Sequence, residues 1–288
     1  MKKIVIKRIQ EDKTLMQAVF LPEQGMNLSS LKFGDVEYID QSTKPLFLEK
    51  FGGLGPLIGP HFYHRKNPVP LEHPEYFPHT AKIYPLGLNE PFSHGIGRYV
   101  AWNYSYSDLT LEGHLSGMDA HKGVSLASLE GFDFQMDFKA HATSTGLEID
   151  YKVSSETSPT IAGLHYYLAL ENNSGIVHMN VSNTYNDMGT TKPIPKRWLD
   201  QERQLAFPLS EESDYTFLPN KADFSGMALL KSNQRQLKIE YQTASQENAF
   251  QLYHPKGASF VCIEPLTAKN PRNAQQKNNH LKVRIQSL

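Results

Sequence analysis

The sequence has little cysteine, little net charge and no long apolar run. Its 288 residues include one cysteine, Cys262, so neither an intrachain disulfide framework nor a cysteine-rich zinc site is expected. Lys and Arg total 29 against 30 for Asp and Glu, a net charge of −1. With no summed field of one sign, neither nucleic acid nor an anionic membrane is an expected partner. No stretch approaches the roughly 20 apolar residues of a membrane span. Near the N-terminus Lys7 and Arg8 cut short the run Ile4-Val5-Ile6, well before the about 7–15 apolar residues a signal peptide needs. A soluble, cytoplasmic protein is the expectation. There is no H-E-x-x-H or Cys/His metal pairing and no G-x-S-x-G elbow. The glycines from Gly53 to Gly59 lie outside any βαβ pattern. No metal site and no cofactor are therefore expected.

What the chain does have is hydrophobic alternation. It is 39% hydrophobic and 11% aromatic, enough to bury a substantial core. Phe132, Phe134, Met136 and Phe138 alternate with polar residues. So do Leu147, Ile149, Tyr151 and Val153, then Leu237, Ile239 and Tyr241, and finally Leu281, Val283 and Ile285. A period of two predicts strands with one buried face. Further strands are expected at 3–9, 15–20, 99–106, 162–170, 176–182, 227–231, 249–254 and 259–264. Helical periodicity is nearly absent, with a turn or two expected at 196–205. Many closely spaced strands without intervening helices predict an all-β fold, a large antiparallel β-sandwich with few or no helices. No repeat or Ser/Gly linker divides the chain, so 1–288 is expected to be a single domain. Segment 51–92 differs, being rich in Gly, Pro and His, and reads as a long functional or mobile loop.

Four stretches place ionisable residues where plain structure does not need them. They are His61-Phe62-Tyr63-His64-Arg65, Ser93-His94-Gly95-Ile96-Gly97-Arg98, Gly163-Leu164-His165-Tyr166-Tyr167 and Val261-Cys262-Ile263-Glu264-Pro265. Glu264 ends an apolar run. It reads either as a strand-end carboxylate turning to solvent or as one facing a cleft that tunes its pKa. His165 sits among aromatic and aliphatic neighbours, as a satisfied core histidine or as a general acid. His94 reads as a turn residue or a ligand contact. Cys262 reads as a small buried hydrophobe.

Taken in order, these stretches resemble the galactose mutarotase-like superfamily, which includes aldose 1-epimerases and hexose-6-phosphate 1-epimerases. The resemblance begins at Pro22-Glu23-Gln24-Gly25-Met26-Asn27-Leu28-Ser29-Ser30-Leu31. It runs through Gly59 to Arg65, His94-Gly95 and Gly163–Tyr167, and closes at Cys262-Ile263-Glu264-Pro265 and a final strand at 281–287. It implies a many-stranded sandwich binding a sugar on its concave face. On it Glu264 corresponds to the general base and His165 to the general acid. His94, Arg65 and Asp187 correspond to substrate-binding residues. His94-Gly95-Ile96-Gly97-Arg98 is closer to the hexose-phosphate branch, which makes Arg98, with Arg65, a candidate phosphate site. Tyr166 stands where the family has proline after its histidine, and the segment following Asp187 departs from the family pattern.

The implied chemistry is interconversion of the α and β anomers of an aldose or aldose phosphate. One group takes the C1 hydroxyl proton while another protonates the ring oxygen, and the roles reverse on closure. A carboxylate and a histidine on opposite sides of the ring are the expected pair. The alternatives are a non-catalytic carbohydrate-binding or sensing protein on the same sandwich, and a glycoside hydrolase or lyase using Asp187 with Glu264.

Overall fold

The computed structural model describes residues 2–67, 69–220, 224–233 and 235–288. Among them, alternation has produced strands where it was expected. Two antiparallel sheets face each other. The larger has nine strands, in the order Leu205–Pro208, Ile176–Met179, Ser225–Ser232, Arg235–Thr243, Asn278–Ser287, Gly146–Ser154, Gln135–Thr143, Thr110–Ser116 and Asn103–Tyr106. The smaller runs Thr190–Pro193, Val181–Asp187, Ser213–Pro219, Ala249–His254, Phe260–Leu266, Gly163–Leu164 and Leu57–Ile58, with Tyr167–Ala169 also on Phe260–Leu266. A four-stranded sheet from the first 37 residues packs beside them.

The faces that meet are apolar. Phe217, Phe250, Leu252, Val261 and Ile263 of the smaller sheet share one buried cluster with Ile149, Tyr151, Ile239, Tyr241 and Val283 of the larger. Tyr241 and Phe250 meet edge to face across the layers, centroids 4.7 Å apart. Because side chains alternate, committing Val261 and Ile263 to this core turns Cys262 and Glu264 onto the opposite face.

The turn expected at 196–205 is present as a 3₁₀ turn, Lys196–Trp198, leading to the strand Leu205–Pro208. The buried Trp198 packs on Tyr185 and Phe207 and so ties that turn to the core. The strand expected over 162–170 breaks at His165-Tyr166. Segment 51–92, of which Pro68 lies outside the described residues, is not an open loop. It contains Leu57–Ile58, the turns Pro74–Tyr76 and Tyr84–Leu86, and a helical turn Thr80–Ile83. Two further short helices, Lys44–Lys50 and Leu126–Glu130, had no periodic signature. Among the described residues no helix is long and apolar enough to cross a membrane.

Candidate active site

The face of the smaller sheet turned away from the core carries two transverse rows of polar and aromatic side chains. In antiparallel pairs, directly opposed residues share a face. Thr216, Gln251 and Glu264 are aligned in one row, and Asp214, Tyr253, Cys262 and Tyr167 in the next. Over these rows lies a cavity of about 430 Å³, lined by Phe62, Tyr63, His94, His165, Tyr167, Met188, Asp214, Gln251, Tyr253, Glu264 and Arg272. This is within the usual size range of small-molecule sites.

Glu264 and His165 meet on the floor. Glu264 is 1% exposed, and its Oε1 lies 3.4 Å from His165 Nε2. That separation is longer than an ordinary hydrogen bond. Among the described residues, Glu264 Oε2 and His165 Nδ1 are buried without hydrogen-bond partners. Burial, reinforced by the negative charge of Asp214, pushes the Glu264 carboxyl well above its usual range, with Arg98 opposing. Burial, then the Arg98 charge, lowers His165 to about 3. At neutral pH the imidazole is therefore uncharged, and the carboxyl is the more basic of the two groups.

His165 is held firmly. Its N–H donates to the Pro56 carbonyl at 2.9 Å, its ring stacks on Tyr167 at 5.0 Å, and the His94 ring meets it edge-on at 5.2 Å. His94 has a left-handed backbone, φ 66°. Its N–H donates to Tyr63 O, and its carbonyl accepts from Gly59 N. The next residue must be glycine. At Gly95, φ 93°, a Cβ would stand 2.0 Å from the Gly59 carbonyl oxygen. Burial, then Arg98 and His165, keeps His94 well below its ordinary pKa.

The other anticipated residues are placed elsewhere. Arg65 does not line this cavity. Its buried guanidinium pairs with Glu90, Nη2 to Oε1 at 2.9 Å, and donates to the Leu129 and Glu130 carbonyls. It spans the 60–92 segment and the Leu126–Glu130 helix as a structural clamp. Arg98 lies behind His165. Its Nε and Nη2 donate to the Leu57 carbonyl at 3.1 and 2.8 Å, and it borders an adjoining cavity of about 190 Å³ that shares Tyr63, His94, His165 and Tyr167 with the first. Neither arginine lines the 430 Å³ cavity, so the anticipated phosphate clamp is not formed there. Asp187 falls on the wrong face. It pairs opposite Tyr215, in register with Tyr185 and Phe217 of the core side, and ends in an ion pair with Lys192.

One residue of register moves a side chain across a sheet, and the acid that faces the cavity is Asp214. Gln251 donates to Asp214 and accepts from Thr216 Oγ1 at 2.6 Å. The amide is thereby oriented, and Asp214 keeps accepting capacity toward the cavity. At the rim Arg272 lies over the Tyr63 ring, 4.8 Å from its centroid, with Nη2 3.5 Å from Met188 Sδ. Sequence reading missed Asp214, Gln251, Tyr253 and Arg272. The alternation of Asp214 and Thr216 with Tyr215 and Phe217 was the available signal for a strand.

Solved structures share this architecture over the whole chain. A galactose mutarotase-like protein from Lactobacillus casei ATCC 334 superposes with a TM-score of 0.69 at 17% identity, covering 100% of both chains. The chain has the galactose mutarotase-like fold. The Slr1438 protein from Synechocystis sp. PCC 6803 gives a TM-score of 0.67 at 18% identity, covering 100% of this chain and 96% of its own. The GalM/aldose epimerase homologue from C. elegans gives 0.64 at 13% identity, with 100% of both covered. No family model and no curated protein sequence matches the chain. In this mutarotase-like sandwich the cavity lies on the face of the smaller sheet turned away from the core.

Proposed function

We propose that the chain is a mutarotase that interconverts the anomers of an aldose by acid–base ring opening, with Glu264 and His165 as the proton-transfer pair. The observation that carries this reading is their convergence, 3.4 Å apart, on the floor of a cavity walled by Phe62, Tyr63, Tyr167 and Tyr253. Groups on opposite sides of the ring are not required. The hydroxyl that loses its proton and the ring oxygen that gains one are both bonded to C1. A base and an acid serving them can therefore stand close together on one side of the ring.

The pair works with one proton between its members. Ring opening moves that proton balance one way, the open aldehyde turns about C1–C2, and closure moves it back. The resemblance starts the cycle from Glu264 carboxylate and His165 imidazolium. Burial favours the uncharged form, carboxylic acid and neutral imidazole, before substrate enters. These forms are the two ends of the same transfer, so Glu264 acts as base in one half-reaction and acid in the other. Arg98, behind the pair, eases deprotonation of Glu264 and opposes a second proton on His165. Asp214 and Gln251 are suited to hold sugar hydroxyls, and His94 to fix His165 and the ring. The continuous core joining both sheets supports reading the chain as one domain.

The test is NMR saturation exchange between anomeric protons of glucose, galactose and glucose 6-phosphate. Catalysed exchange that Glu264→Gln lowers by roughly 10²–10⁴-fold, with the fold retained, is the expected result. Binding without exchange in the parent protein would replace this reading with a non-catalytic carbohydrate-binding protein.

A further inference from the structure

Cys262 stands two residues before Glu264 on the same strand and the same face. One ligand atom each from His165, Cys262 and Glu264 lies within 4.8 Å of the others, and all three residues are buried. The 3.4 Å between His165 Nε2 and Glu264 Oε1 has a chemical counterpart. Zinc–nitrogen and zinc–oxygen bonds of about 2.0–2.1 Å in a tetrahedron put the two donors about 3.3 Å apart. The buried pair therefore already has the spacing of two zinc ligands without making a good hydrogen bond. Among the described residues Glu264 Oε2 also has no hydrogen-bond partner, although buried polar atoms are normally satisfied. Glu264 lines the cavity, which gives an ion a path to the site.

We propose that His165, Cys262 and Glu264 form a binding site for a thiophilic divalent cation such as Zn²⁺, and that its occupancy blocks the proton-transfer pair. Nitrogen, sulfur and carboxylate oxygen together favour zinc over magnesium or calcium, which take oxygen ligands. Three protein ligands leave the fourth position open to the cavity. Thiolate and carboxylate neutralise the dication, and the Cys262 thiol proton and the Glu264 carboxyl proton both leave to solvent on binding. Arg98, close behind, opposes the added charge and limits affinity. The site itself is independent of the sugar chemistry, while the inhibitory consequence rests on the mutarotase reading.

Cobalt(II) titration of the chelator-treated chain tests the site. Cys262 is the one cysteine of the sequence, so a thiolate-to-cobalt charge-transfer band assigns the ligand without any variant. The expected result is that band at one equivalent, bleached by Zn²⁺ and absent in Cys262→Ser. Zinc-edge X-ray absorption of the parent chain should find one cysteine sulfur and two protein nitrogen or oxygen neighbours. No band, or zinc bound without sulfur, overturns the site. With the site occupied, anomer exchange should fall at least about tenfold and return with chelator. Exchange unaffected by bound zinc would refute the inhibition and with it the use of this pair as the catalyst. A parent chain that binds zinc through sulfur but never catalyses exchange refutes the mutarotase reading and leaves the site standing.

Discussion

Glu90→Gln would separate a structural Arg65 from one that binds substrate. The Arg65 and Glu90 side chains are 3% and 4% exposed. Glu90 also accepts from the backbone N–H of Arg65 and of Phe92. The carboxyl is therefore held below its usual range. Burial opposes this, but the Arg65 hydrogen bonds and charge, with the Phe92 N–H, prevail. Removing one partner of a buried pair leaves an uncompensated charge and costs about 3–5 kcal/mol. At about 2 °C per kcal/mol for a chain of this size, Tm falls by roughly 6–10 °C. Urea unfolding at pH 7 measures the loss directly, and Arg65→Met combined with Glu90→Gln should recover part of it, because no charge is then stranded. A depressed carboxylate pKa gives stability that is present above its unfolded pKa and lost as pH falls through the folded value. The difference between parent and Glu90→Gln should accordingly shrink in acid. A loss below about 1 kcal/mol, the value of an exposed pair, would refute the clamp.

Three other outcomes are expected. Asp214→Asn should lower kcat/KM by roughly 10–100-fold through loss of a charge-assisted hydrogen bond of about 1.5–3 kcal/mol, whereas Asp187→Asn should leave it within about twofold; the reverse pattern would sink the face assignment. The pH profile of kcat/KM should have its acid limb near His165's lowered pKa of about 3 and its alkaline limb at the raised pKa of Glu264, since activity needs one proton on the pair; a single limb at the ordinary histidine value of about 6.5 would contradict it. Because the folded pKa of Glu264 is raised, stability is greatest below its unfolded value and declines as pH rises through the folded one. Glu264→Gln should therefore melt higher than the parent in mildly alkaline buffer, and an unchanged pH dependence of Tm would count against the buried carboxyl.

Alternation made the sandwich readable, because Phe138, Tyr151, Ile239 and Val283 each sit between polar neighbours and one face of each strand had to be buried. The break at His165-Tyr166 was not readable. Tyr166 turns into the core while His165 and Tyr167 face the other way, which is the alternation of a continuous strand, so the pattern gave no sign of an interruption. The short helices were also hidden, since four to seven residues carry no usable period.

For the site, sequence by itself determined which residues had unusual settings. Glu264 at the end of an apolar run, His165 among aromatics, and His94 before a glycine all proved to line one cavity. The tertiary structure decided which polar groups join them. Arg65, Arg98 and Asp187 are as polar as Asp214, Gln251 and Arg272, and nothing local distinguishes the two sets. The difference lies in strand register and packing. Asp187 is opposite Tyr215, Asp214 is opposite Tyr253, and only pairing across the sheet fixes which face each one takes. The two arginines are drawn away by a buried carboxylate and a backbone carbonyl distant in sequence, partners that exist only once the sheets have closed.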